Sequence, residues 1–152
     1  MADENTSLIP TIDVPDFVEE SEEYDTEYRP SLRWDLEKGD FVRDGTNRVP
    51  RSDGYDAYRV WCVKAVQTER YSCLAYSDDI GSEMEDARQE DDQGAVELAI
   101  ARTIEETLMV NPRTLSVEDF EFTWKPGEVH VSFTVNAIDG ETFTVDATVE
   151  AE

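Results

Sequence analysis

The sequence predicts an α+β domain, with two main helices packed on a mainly antiparallel sheet, and three observations predict it. Val96, Ile100, Ile104 and Leu108 recur every four residues, the spacing of one helical face. Residues 117–124, 129–137 and 141–149 then alternate apolar with polar side chains, as strands buried on one side do. Between the two patterns stands Asn111-Pro112-Arg113. Proline has no N–H and disfavours the helical conformation in the residue before it, so the helix stops there.

Length and charge bound the rest. A chain of 152 residues fits one domain with a tail: an acidic arm over 1–28 and a single domain over 29–152. The net charge of -24 and pI near 4.1 repel polyphosphates and anionic membranes, which excludes direct nucleic-acid and membrane binding and favours basic partners. Lys38, Lys64 and Lys125 are the only lysines among 13 basic residues, which fits either a high-salt cytoplasm or a GC-rich genome. With no signal peptide and no apolar run of about 18 residues, a soluble product made in the cytoplasm is expected. Cys62 and Cys73 have no metal-ligand spacing and there is one histidine, so no metal or other cofactor is expected and both thiols read as reduced and buried.

Taken in order, the arm carries Glu19, Glu20, Glu22 and Glu23, a charge run with little to bury. It also contains Leu8, Ile9, Pro10, Thr11 and Ile12, an extended apolar segment suited to a partner's sheet edge or groove. A hairpin follows. Leu32, Trp34 and Leu36 alternate with charged residues and Lys38-Gly39 supplies a two-residue turn, opposing Leu36 to Phe41 and laying Arg43 over the Trp34 indole. Ser52 or Asp53 caps a helix over 55–70, whose inward stripe is Tyr58, Trp61, Cys62, Ala65 and Glu69. Leu74-Ala75-Tyr76 is a short apolar segment, and 78–84 turns into a brief helical piece.

The second long helix spans Gln93 to Met109 and ends at Asn111, in the left-handed conformation. The strands then register by parity. Pro126 and Gly127, central in a type II turn, oppose Trp124 to Val129, Phe122 to Val131 and Phe120 to Phe133. A three-residue loop over 138–140, with Gly140 left-handed, opposes Val135 to Phe143 and Phe133 to Val145. His130, Ser132, Thr134, Asn136, Thr142, Thr144, Asp146 and Thr148 share the polar face, and the last strand is an edge open to pairing with another chain.

Candidate chemistry is sparse. Glu69, Glu118 and Glu121 are candidates for the acid pair of a glycoside hydrolase, but with 37 acidic residues some such pair is expected by chance. His130 has no nucleophile elbow to serve and reads as a solvated strand residue. Asp78, Asp79, Glu83, Glu85 and Asp86 lack the spacing of a calcium loop.

Tyr55-Asp56-Ala57 leading to Trp61 and Lys64, Thr68-Glu69-Arg70-Tyr71, Leu74-Ala75-Tyr76, Gly81-Ser82-Glu83 and Asn111-Pro112-Arg113 resemble, in order and spacing, the small baseplate proteins of Gram-positive contractile phages and prophages. That family is similar to gene product 25 of the T-even phages and to the sheath initiators of contractile bacteriocins. The resemblance implies a non-enzymatic structural role in a virion or tail-like particle. Six copies would surround the tail tube, contacting baseplate wedge proteins, tube or hub neighbours and the tail sheath protein. It implies wedge contacts at Asn111, Pro112, Arg113 and Arg70, with Asn111 standing where wider relatives carry glutamate. It also implies strand exchange with sheath subunits, for which the open last strand, at Thr142, Phe143, Thr144, Val145, Asp146, Ala147 and Thr148, is the candidate edge. A peptidoglycan-cleaving tail lysozyme and an acidic adaptor for a basic partner are the alternative readings.

Overall fold

A computed structural model describes residues 26–150. The expected apolar arm at Leu8, Ile9, Pro10, Thr11 and Ile12 lies outside the described residues. The α+β expectation holds, and the brief helical piece expected around residues 78–84 is a four-residue helix that starts at Met84. A hairpin, β1 (Trp34–Asp35) and β2 (Asp40–Phe41), precedes α1 (Gly54–Gln67), α2 (Met84–Ala87) and α3 (Gln93–Met109). Strands β3 (Thr114–Lys125), β4 (Glu128–Ala137) and β5 (Thr142–Glu150) then form an antiparallel sheet in the order β3-β4-β5.

The core lies between the helices and the apolar face of that sheet. Ile100, Ile104 and Leu108 of α3 and Phe133 and Val135 of β4 are fully buried. Truncating any of the three α3 side chains to alanine would cost about 2–5 kcal/mol. Helix α1 is capped by Asp53, whose carboxylate accepts the Asp56 N–H at 2.8 Å, and buries Tyr58, Cys62, Ala65 and Val66. It ends at Gln67 rather than 70, because the chain turns at Thr68 to bridge Glu69 with Ser82. Cys73 therefore sits in an exposed turn beyond the helix, and only Cys62 is a buried thiol. Leu74 and Tyr76 are exposed with it.

The first hairpin differs from the expected register. Trp34 pairs with Phe41 and Asp35 with Asp40, through a four-residue connection. The Asp35 carboxylate accepts the N–H groups of Glu37 and Lys38, and Gly39 takes φ 65°, so the connection closes two residues earlier on the first strand. Trp34 meets Phe41 edge-on at 4.9 Å, and Lys64 Nζ, not Arg43, lies 3.5 Å from the indole centroid.

Both turns of the large sheet are as expected. Trp124 pairs with Val129 around Gly127 at φ 81°, and Val135 pairs with Phe143 around Gly140 at φ 88°. Strand β3 starts earlier than expected and carries two irregularities. Leu115 is an extra residue between the Thr114 and Ser116 pairs, and Asp119 and Phe120 together oppose Phe133. Asp119 has φ 55°, so Phe120 does not pair directly with Phe133 but stacks on it at 5.5 Å. The bulge also explains how odd-numbered Val117 comes to pair with Val135 and reach the core while even-numbered Phe122 pairs with Val131.

Candidate docking site

Two features stand out, a corner and a border. At the corner, Asn111 is buried but does not take the left-handed conformation expected of it; the described non-glycine residues with positive φ are Asn47, Tyr71 and Asp119. Its side chain does the turning instead. Oδ1 accepts the Arg113 N–H at 3.0 Å, and the Asn111 carbonyl accepts the Thr114 N–H at 2.9 Å. Such an Asx turn needs no positive φ. Arg113 is held on both sides: its carbonyl accepts the Ile138 N–H at 3.0 Å, and its Nε and Nη2 donate to the Glu27 carbonyl, Nε at 2.7 Å. The guanidinium thus holds the root of the N-terminal arm. Tyr28 follows and packs on Tyr58 at 5.6 Å and Tyr55 at 5.9 Å. A cleft of about 220 Å³ opens here, lined by Arg29, Ala57, Tyr58, Trp61, Asn111 and Arg113 among others. It brings two arginines and an indole together on an otherwise acidic protein.

Arg70 is elsewhere. Its Nε donates to the Gly81 carbonyl and its Nη1 meets Glu83 Oε1, both at 3.1 Å, and its side chain is 14% exposed. Gly81 takes φ 106°, and a Cβ there would lie 2.8 Å from the Thr68 carbonyl oxygen. Thr107 Oγ1 also donates to the Gly81 carbonyl at 2.9 Å, so 81–83 is clamped between the end of α1 and α3.

The border is β5, which among the described residues pairs only with β4. The Ala137 N–H donates to the Glu141 carbonyl, so the odd residues of β5 turn their backbone groups toward β4. Pairs alternate along an antiparallel ladder, so Thr142, Thr144, Asp146, Thr148 and Glu150 turn theirs outward. Arg88 Nη1 donates to the Glu150 carbonyl, which occupies the last of these groups. Side chains alternate as well: Phe143, Val145, Ala147 and Val149 are buried and the even residues are exposed. Phe143 anchors the strand against α1 through Tyr55 at 5.8 Å and Tyr58 at 5.7 Å.

The residues proposed for carboxylate chemistry do not converge. The groove beside Glu69 is bordered by neither Glu118 nor Glu121. His130 lies on the polar face but is not simply solvated. Its Nε2 is 2.7 Å from Glu128 Oε1 and its Nδ1 is 3.1 Å from Thr148 Oγ1, and the first contact holds the Glu128 carboxyl below the usual range. Among the described residues no three His, Cys, Asp or Glu side chains gather as a metal site, and no helix is long and apolar enough to cross a membrane.

Sequence reasoning missed the two β3 bulges and the Arg88 contact with the border. Asp119 next to Phe120 is the one local sign of the second bulge, since aspartate tolerates positive φ better than most residues.

Comparison with known proteins accords with this architecture. The model of the contractile injection system sheath initiator family matches residues 31–140. The chain is also 32% identical over 136 residues to the phage-like element PBSX protein XkdS of Bacillus subtilis strain 168, covering 88% of this chain and 91% of that protein. These two matches make the chain a member of the contractile injection system sheath initiator family, a family of baseplate structural proteins.

Proposed function

We propose that this protein docks on the baseplate wedge through Asn111, Pro112 and Arg113, and starts the sheath by accepting a strand from a sheath subunit along β5. The observation that carries the reading is the contrast between the two borders of the sheet. Strand β3 is broken by bulges at Leu115 and at Asp119, a device that blunts an edge against pairing. Strand β5 runs regularly from Thr142 to Thr148 with its even-numbered backbone groups outward. Main-chain hydrogen bonds to such a border supply affinity for another chain's strand. The function is mechanical, with no catalytic step. Arg70 enters as a positioning residue, because it is spent on Gly81 and Glu83. The arm, with Leu8, Ile9, Pro10, Thr11 and Ile12, provides a second contact, leaving the body at the point that Arg113 holds.

Thr144→Pro tests the border. Proline there removes an outward N–H and leaves the β4–β5 ladder intact, so the purified protein should fold. Electron microscopy of particles assembled with the variant should show tail tubes and baseplates without ordered sheath. Full-length sheath on those particles would refute strand addition at β5.

A further inference from the structure

Beside the end of the β5 border lies a groove of about 300 Å³ between the last turn of α1, α2 and β5. Val66, Met84, Ala147 and Val149 give it apolar walls, and Glu69, Glu85 and Arg88 line it. A strand added to β5 would place alternate side chains on the same face as Val145, Ala147 and Val149, the face on which α1 lies. Those side chains would project toward this groove.

The charges of the groove are unbalanced. Burial first, then the neighbouring Glu85, Asp86 and Glu83, push the Glu69 carboxyl above its ordinary range, and Arg88 only partly opposes them. Arg88 is also committed to the Glu150 carbonyl, and its contact with Glu85 is long, at 3.9 Å. A cationic side chain entering beside the apolar walls would neutralise this surplus, whereas an anionic one would add to it.

We propose that this groove is a side-chain subsite for the strand that adds to β5, selecting a partner segment with an apolar residue and, two positions away on the same face, a lysine or arginine. The inference rests on strand addition at β5 and names the chemistry of the strand. Arg88 marks the end of the pairing, because its bond to the Glu150 carbonyl occupies the next outward acceptor.

The test uses three fluorescein-labelled nine-residue peptides of alternating threonine and valine: one unsubstituted, one with the central valine replaced by lysine and one with it replaced by glutamate. Fluorescence anisotropy with the full chain at near-physiological salt should show the lysine peptide binding roughly tenfold more tightly than the glutamate peptide. The preference should shrink to about threefold or less in the Glu69→Gln, Glu85→Gln double variant. All binding should be lost in Thr144→Pro. Equal affinities for the two charged peptides would overturn the subsite. A preference undiminished in the double variant would also overturn it, by assigning the effect to the overall charge. In either case, loss of binding in Thr144→Pro would leave strand addition standing. Binding that survives Thr144→Pro, or no binding of any peptide, would overturn the subsite and the border reading together.

Discussion

Tyr58 Oη lies 2.8 Å from Thr114 Oγ1, and both residues are buried. The contact joins the first long helix to the first residue after the Asn111-Pro112-Arg113 corner, so the corner is fixed to α1 as well as to the sheet. Removing one partner of a buried hydrogen bond leaves the other unsatisfied. Tyr58→Phe should therefore lower unfolding stability by about 1–3 kcal/mol in urea titration. Tyr55→Phe is the control. Its hydroxyl is buried and meets no hydrogen-bond partner among the described residues, so its loss should leave stability unchanged or raise it. Equal losses in the two variants would contradict this assignment.

A Cβ placed on Gly54 would come within 1.7 Å of the Tyr28 carbonyl oxygen. Gly54 opens α1, where alanine is a better helix former, so the helix itself should survive Gly54→Ala. What must move is the root of the arm. We expect a cost of about 1–3 kcal/mol and new protease cleavage near residues 27–30. A cleavage pattern identical to wild type would mean that Tyr28 is not held as described.

The Arg113 guanidinium donates twice to the Glu27 carbonyl. Arg113→Ala should lower the melting temperature of the body modestly while leaving it folded, because the helices and the large sheet do not depend on the Glu27 bonds. Particles assembled with it should lack ordered sheath, as the proposed anchoring requires. Normal tails would argue against a docking role for the corner.

The two cysteines should differ sharply in reactivity. Burial pushes the Cys62 thiol up to about 12, so it holds almost no thiolate at neutral pH, whereas Cys73 is exposed. A thiol-reactive dye should modify Cys73 alone in the native protein and both residues in denaturant. Rapid native labelling of Cys62 would show that α1 opens locally.

Folding favours the protonated form of Glu69, so the folded chain retains a proton that the unfolded chain has released. Stability should then fall as pH rises from the ordinary carboxyl value of 4.5 through the raised folded value. Glu69→Gln removes that penalty. Its Tm should exceed wild type at pH 7 by roughly 1–2 °C, with the gap closing below the ordinary value. A Tm below wild type at pH 7 would indicate that the charged form makes a favourable contact.

Much of this architecture was legible because the periods are clean. The stripe on α3 and the alternation in β4 and β5 each have a single buried solution, and Gly127 and Gly140 supply positive φ where the turns need it. The hairpin register was not, because it is decided by Asp35 bonding to two N–H groups of the connection rather than by apolar pattern. Cys73 read as buried because free cysteines usually are, whereas α1 ends at Gln67 and the bridge of Glu69 to Ser82 leaves Cys73 in an exposed turn. The corner was found as a position but not as a geometry. Proline marks the stop, while the Asx turn depends on where the Asn111 side chain points. The bonds of Arg113 to Glu27 depend on long-range folding that local spacing does not encode.

The bulges at Leu115 and Asp119 give the sheet a handed growth rule. With one margin kinked and the other straight, the strand addition proposed above would extend the sheet past β5 and not past β3.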